Sequence, residues 1–198
     1  EMVGYYGSHD TSNKVRKQIQ WSQGTKEEVW TEIVTEKIRN KKELLEYLGK
    51  EETAELLASY LKEIAWNDGT NREGHSAKVY FNALFGNDFV RNSDDTINAA
   101  LNYGYAILLS TINKEIINNG YLTQLGIHHK NEFNEFNLSC DLMEPFRVII
   151  DNFVYYNQAR EFNTNYKMDI INIFNTTFKY QNKTYTLKVI IVGKDTDG

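Results

Sequence analysis

The sequence predicts a mainly α-helical protein. Its 198 residues include only one proline, and apolar residues recur at i, i+3 and i+4 over long stretches, which is the period of helices with one buried face. The alternation of apolar and polar residues that is typical of paired strands occurs in one short stretch near the C-terminus. The chain is also long enough to bury a sizeable core. We therefore predict a multi-helix domain over residues 1–198, with a small β-hairpin near its C-terminal end.

Capping residues and glycine breaks divide the N-terminal half into helices. Asp10 can cap the first helix, and Thr25 to Glu28 has the pattern of a capping box that opens the second. Gly49 is a helix stop between two further amphipathic stretches. A helix is predicted over 71–85, and a long one over 96–117.

The C-terminal half begins with a segment that lacks clear periodicity. Residues 121–137 contain asparagines in a near three-residue repeat, and we interpret them as an ordered loop. Helical spacing returns over 138–156 and over 165–174. Residues 178–187 then alternate as a hairpin with a turn at 181–183.

Composition excludes several classes of protein. There are 22 Lys and Arg against 27 Asp and Glu, a net charge of −5, so bulk charge gives no sign of a polyanionic partner. The only cysteine, Cys140, excludes an internal disulfide framework and a cysteine-rich zinc site. Apolar runs are too short for a membrane span. We expect a soluble cytoplasmic protein with no membrane partner.

Nucleotide-binding glycine loops and the G-x-S-x-G hydrolase motif are absent. The candidate chemistry lies instead in Glu73, the pair His128 and His129, and the acids Asp141 and Glu144. Each has a structural alternative. Glu73 could return a hydrogen bond to Thr70 in a capping box, adjacent loop histidines are commonly surface residues, and an acid early in a helix is favoured by the helix dipole.

The position of the only proline makes Asp141 and Glu144 stronger candidates for a functional site. Asp141 and Glu144 share a helix face at i, i+3, and Pro145 follows directly. Either Pro145 lies in the first turn of a helix, or the helix is kinked where the carboxylates project. We expect them at a rim or in a cleft. Two close carboxylates repel unless a cation neutralises them, and carboxylates with an imidazole suit a magnesium or manganese site.

Three blocks of sequence carry a family resemblance: NREGHSAKVYFNALFG over 71–86, INAALNYGYAILLS over 97–110 and LGIHHKNEFNEFNLSCDLMEPFR over 125–147. They resemble the CRISPR-associated adaptation integrases and endonucleases (the universal Cas "one" family), most closely the type II-A branch. Family members carry an N-terminal β domain that has no counterpart here, so the resemblance implies the C-terminal helical catalytic domain alone.

The resemblance also implies a site. Glu73, His129 and Glu144 would be the catalytic residues and would bind Mg²⁺ or Mn²⁺. Asp141 would support them, and His128 is the alternative ligand to His129. Three basic residues near these positions are candidates for DNA phosphate contacts, with surface ion pairs as the alternative for each: Arg72, Lys78 and Arg147.

The implied activity is metal-dependent cleavage and joining of DNA during CRISPR spacer acquisition. The 3′-hydroxyl of a captured fragment attacks a phosphodiester in the CRISPR array. Implied partners are double-stranded protospacer DNA, CRISPR repeat DNA, a second copy of the full-length protein, a small dimeric companion protein that bridges two dimers, and the type II-A effector nuclease and ring protein. The alternative is a catalytically incomplete helical fragment that binds DNA or a partner.

Overall fold

The computed structural model describes residues 10–180 and 183–186, and it confirms the mainly α-helical fold. Eight α-helices are described in that range: α1 (Thr11–Ile19), α2 (Gln23–Tyr47), α3 (Glu51–Lys62), α4 (Arg72–Phe85), α5 (Thr96–Asn118), α6 (Asn137–Met143), α7 (Arg147–Asn157) and α8 (Thr164–Ile173). Short 3-10 helices lie at Trp66–Asp68 and Glu144–Phe146. Across the described residues, no helix combines the length and apolarity needed to cross a bilayer.

Two short strands follow the helices. Strand β1 (Thr177–Tyr180) pairs antiparallel with β2 (Lys183–Thr186), and Thr177 lies opposite Thr186. Residues 181, 182 and 187 of the predicted hairpin lie outside the described residues.

Side-chain caps explain where several helices begin. The Ser22 hydroxyl accepts the Thr25 N–H at 3.0 Å at the start of α2, and the Asp95 carboxylate accepts the Asn98 N–H at 2.8 Å at the start of α5. The predicted capping box at Thr25 was wrong, because Ser22 caps the helix one turn earlier.

The core is organised around two long helices. α2 packs against α3, α4 and the Glu144–Phe146 turn, while α5 packs against α6, α7 and α8. The buried apolar residues of these helices form one cluster. Gly104 allows α5 to approach α7 closely, since a Cβ there would lie 2.3 Å from Ile150 Cγ2.

Pro145 divides what the sequence predicts as one helix over 138–156. α6 ends at Met143, the chain makes one 3-10 turn through Glu144, Pro145 and Phe146, and α7 begins at Arg147. The Pro145 carbonyl accepts a hydrogen bond from Asn40 of α2 at 2.8 Å. The interruption thus fixes Glu144 against the middle of α2.

The segment between α5 and α6 is an ordered loop, as predicted. Its asparagine repeat forms two local turns, in which Asn131 Oδ1 accepts the Phe133 N–H and Asn134 Oδ1 accepts the Phe136 N–H, both at 2.9 Å. Gln18 of α1 donates to the Leu122 carbonyl and accepts its N–H, each at 2.8 Å. The bonds from Gln18 hold the beginning of the loop against α1.

Candidate active site

Two of the three predicted catalytic residues meet at one cation. The Lys37 Nζ atom, on α2, lies 2.6 Å from Glu73 Oε1 and 2.5 Å from Glu144 Oε2. Glu73 is in the first turn of α4, and Glu144 begins the 3-10 turn after α6. Three separate elements therefore contribute to one charged cluster.

The start of α4 directs Glu73 toward this cluster. Asp68 accepts the Arg72 N–H at 2.8 Å and the Glu73 N–H at 3.0 Å, and so caps the helix. Asn71 takes a left-handed conformation, with φ of 52°, between this cap and the helix. The capping-box alternative for Thr70 and Glu73 was wrong, because Asp68 caps the helix and the Glu73 carboxylate binds Lys37.

Glu144 is more deeply placed than predicted. It is 5% exposed and Asp141 is 0% exposed, so neither carboxylate lies at an exposed rim. Asp141 is on α6, which packs against α5, and Glu144 is on the following 3-10 turn, which packs against α2. Burial raises the pKa of Glu144, but Lys37 and Arg147 outweigh it and hold that pKa below its usual value. Arg147 Nη2 lies 2.8 Å from Glu144 Oε1.

Asp141 organises the histidine loop. Its Oδ2 accepts the N–H groups of Ile127 at 2.6 Å and His128 at 3.0 Å, and its Oδ1 accepts the His129 N–H at 3.1 Å. The same Oδ1 lies 2.5 Å from His129 Nδ1. One buried carboxylate thus holds three consecutive backbone groups and one imidazole ring.

Close packing explains why residue 126 is a glycine. A Cβ at Gly126 would lie 2.3 Å from the His129 carbonyl oxygen and 3.0 Å from Asp141 Oδ2. Any larger residue would push the loop away from α6, so Gly126 is required for the contact between Asp141 and His129.

The two histidines differ in their surroundings. The Asp141 hydrogen bond raises the pKa of His129, and burial only partly opposes that effect. Because Nδ1 faces Asp141, Nε2 is the nitrogen that His129 presents to a ligand. The His128 ring instead stacks on Trp30, with centroids 4.1 Å apart and planes 9° apart. This arrangement favours His129 over His128 as the ligand.

The donors suit a divalent cation in type and charge. Glu73 and Glu144 already share one positive charge, that of the Lys37 ammonium group, which lies 2.5 Å from the buried Glu144 Oε2. Carboxylate oxygens and a neutral imidazole are ligands for Mg²⁺ and Mn²⁺. In the described part of the chain, however, no three such residues are close enough together to hold a metal ion. His129 would have to move toward the two glutamates.

The three candidate DNA contacts lie in different surroundings. Arg147 is committed to Glu144 and lies over the Tyr105 ring, with its guanidinium carbon 4.6 Å from the centroid. Arg72 pairs with Glu63 at 2.6 Å. Lys78 is exposed and has no ion pair within the described residues. The structure therefore brings only Arg147 to the acidic cluster.

A buried polar network beside the cluster was missed from the sequence. Asp151 of α7 accepts hydrogen bonds from the hydroxyls of Tyr80, at 2.9 Å, and Tyr105. Lys41 is buried nearby, and burial lowers its pKa to about 7. The available signal was spacing: Lys37 and Lys41 fall on the same face of α2 as the buried Trp30 and Val34.

The fold and the site together define a helical protein with a carboxylate and imidazole centre. Comparison with known proteins gives the family. The family model for CRISPR associated protein Cas1 matches residues 2–169, and the chain belongs to this family.

The relatives include the CRISPR-associated endonuclease Cas1 of Neisseria meningitidis serogroup C (strain 8013), which is 37% identical over 147 residues, or 74% of this chain and 48% of the relative. Among solved structures, a casposase bound to integration product matches with a TM-score of 0.73 and 22% identity, covering 92% of this chain and 66% of that one. A partial Cas6-RT-Cas1–Cas2 complex matches with a TM-score of 0.73 and 19% identity, covering 94% and 69%. The chain spans slightly less than half the length of the curated relatives it matches.

Proposed function

We propose that this chain carries the catalytic helical region of a metal-dependent DNA endonuclease and integrase that inserts foreign DNA fragments into a CRISPR array. The observation that carries the proposal is the convergence of Glu73 and Glu144 on one cation position, beside a histidine that Asp141 orients. Membership of the Cas1 family supports it.

Each residue has a distinct task in this reaction. Glu73 and Glu144 would hold the cation, Mg²⁺ or Mn²⁺, through their carboxylates. Asp141 holds Nδ1 of His129, so Nε2 is the nitrogen that would serve as the third donor once His129 moves toward the glutamates. When bound, the metal ion would polarise the attacked phosphodiester and stabilise charge on the leaving oxygen. The incoming nucleophile is the 3′-hydroxyl of the DNA fragment, so no covalent protein intermediate is required.

The partners of this activity are part of the proposal. The protein would bind double-stranded protospacer DNA and CRISPR repeat DNA in the prokaryotic cytoplasm. In the full-length form it would dimerise and assemble with a Cas2-like companion. The similarity to a Cas6-RT-Cas1–Cas2 complex supports the companion, and the similarity to a casposase bound to integration product supports DNA binding. Assignment to the type II-A branch, with its effector nuclease and ring protein, rests on the three sequence blocks.

A second candidate function is a helical module that binds DNA or a partner without catalysis. One observation favours it: Lys37 occupies the position between the glutamates, and no set of three ligands is assembled within the described residues. A protein that stayed in this conformation would not hold a catalytic metal ion.

A cleavage assay separates the two functions. Purified protein is incubated with branched DNA, with and without MnCl₂ or MgCl₂, and the products are resolved on a denaturing gel. We expect metal-dependent cutting, and we expect Glu144→Gln to reduce it at least about a hundredfold, because one of two shared carboxylate ligands is lost.

The matched control is Glu46→Gln, which removes an exposed glutamate that pairs with Lys42 at 2.7 Å. It should cut at the wild-type rate. Circular dichroism and thermal melting verify that Glu144→Gln is folded. Undiminished cutting by that folded variant would rule out the proposed site, whereas DNA binding without any metal-dependent product would favour the binding module.

A further inference from the structure

We propose that Lys37 is a resident cation that holds Glu73 and Glu144 together in the metal-free protein, and that a divalent metal ion binds by displacing it. The inference rests on the proposed function, because it concerns how that metal site is kept and loaded. Its basis is the pair of contacts at 2.6 and 2.5 Å between one ammonium group and two carboxylates from different elements.

The surroundings explain why a cation must be present. Lys37 is 8% exposed and Glu144 is 5% exposed, so the interaction between these two groups is weakened less than it would be in water. Without a positive charge between them, the two carboxylates would repel each other. Lys37 therefore holds both groups in place before any metal ion arrives.

The same geometry makes the lysine displaceable. Its charge is carried on a flexible four-carbon stem, and the Glu73 side chain retains 30% of its exposure, so the cluster opens to solvent on that side. Among the described residues, the Lys37 ammonium group is the only polar partner of Glu144 Oε2, so it is the group that an incoming metal ion would replace there. A divalent ion brings twice the charge to the same two oxygens.

A second buried lysine on the same face of α2 also favours the displacement of Lys37. Lys41 lies one turn after Lys37, is 3% exposed, and has its Nζ 5.2 Å from the Tyr80 ring centroid. The positive charge of Lys37 and the charged form of Lys41 repel each other on this buried face. Replacing the Lys37 charge at the glutamates by a metal ion would let the Lys37 side chain swing toward solvent.

The test measures metal affinity rather than activity. Mn²⁺ is titrated into wild-type protein and into Lys37→Met, and the electron paramagnetic resonance signal of free Mn²⁺ gives the bound fraction. Methionine keeps the length of the side chain and removes the competing charge. We expect Lys37→Met to bind Mn²⁺ about tenfold more tightly, equivalent to about 1.4 kcal/mol. A purely structural role for Lys37 would not increase affinity.

Lys42→Met is the matched control, since Lys42 lies on the same helix and pairs only with the exposed Glu46 among the described residues. It should leave Mn²⁺ affinity unchanged. Adding Glu144→Gln to Lys37→Met should abolish the gain, which places the bound ion at the glutamate pair.

A second measurement uses wild-type protein and does not depend on the folding of a variant. Lysines are acetylated with an N-hydroxysuccinimide ester, with and without Mn²⁺, and the sites are quantified by mass spectrometry. We expect Lys37 to react several-fold faster when Mn²⁺ is present, while Lys42 reacts equally in both conditions.

The outcomes separate this inference from the proposed function. Equal or weaker Mn²⁺ binding by Lys37→Met, or an unchanged Lys37 acetylation rate in metal-bound protein, overturns the displacement and leaves the integrase assignment standing. Absence of Mn²⁺ binding in both wild type and Lys37→Met overturns both. Tight binding by Lys37→Met without DNA cleavage supports the displacement and contradicts the proposed function.

Discussion

Asp141 shows how much of the site depends on a single side chain. It is fully buried, and its two oxygens accept three backbone N–H groups and face one imidazole nitrogen. From the sequence, the spacing of Asp141 from Glu144 and the family resemblance predict that this acid supports the site. They do not predict that this acid organises the loop, because the partners lie 12 to 14 residues away and only tertiary packing brings them together.

We expect Asp141→Asn to destabilise the protein by about 3 kcal/mol or more, because an amide offers one acceptor oxygen where the carboxylate offers two, and it places an NH₂ group against backbone donors. Urea denaturation followed by circular dichroism measures this. The control is Asp169→Asn at the exposed pair with Arg160, which should cost less than about 1 kcal/mol. Equal losses in the two variants would contradict the assigned role of Asp141.

At the scale of elements, the site depends on where helices end. The sequence predicts the helices well, because apolar period and caps are local properties. At Pro145 it leaves two possibilities, a first turn or a kink, since the choice depends on what faces the carbonyl of Pro145. In the structure, the chain forms a 3-10 turn at Pro145, and a hydrogen bond from Asn40 of α2 stabilises it.

The contact between α5 and α7 gives a test at this scale. We expect Gly104→Ala to destabilise the protein by about 1 to 3 kcal/mol, because its Cβ would overlap Ile150 Cγ2 and separate the two helices. Thermal melting of the purified variant measures the loss.

Gly24→Ala is the matched control, since Gly24 is also helical and its nearest neighbour would be the Ser22 hydroxyl at 3.9 Å. That substitution should stabilise the protein by about 0.5 to 1 kcal/mol through helix propensity. Stabilisation by both substitutions would mean that α5 and α7 are not in close contact at Gly104.

At the scale of the whole molecule, polar groups inside the core connect the helices that carry the site. This network consists of Lys41 of α2, Tyr80 of α4, Tyr105 of α5 and Asp151 of α7. Arg147 connects it to Glu144. A net charge of −5 gives no indication of it, because the total averages local clusters over the surface. The sequence shows Lys37 and Lys41 in an apolar stripe, but their carboxylate neighbours are 36 to 110 residues further along the chain.

The buried lysine gives this network a measurable pH dependence. The unfolded chain keeps the Lys41 proton up to a pKa near 10.5, whereas burial in the folded protein lowers that pKa to about 7. Between these values the unfolded state binds more protons than the folded state, so the free energy of unfolding must rise with pH. We expect a rise of about 1 to 2 kcal/mol from pH 7 to pH 9 in wild type relative to Lys41→Met, measured by urea denaturation at both pH values.

Taking the difference between the two proteins removes the opposing contribution of His129. The raised pKa of His129 stabilises the folded state below the ordinary pKa of histidine, and this stabilisation is lost as pH increases. Lys42→Met, which removes a partly exposed lysine from the same helix, should keep the wild-type slope. Parallel pH profiles for wild type and Lys41→Met would show that Lys41 stays protonated in the core, held by Asp151 and Glu144.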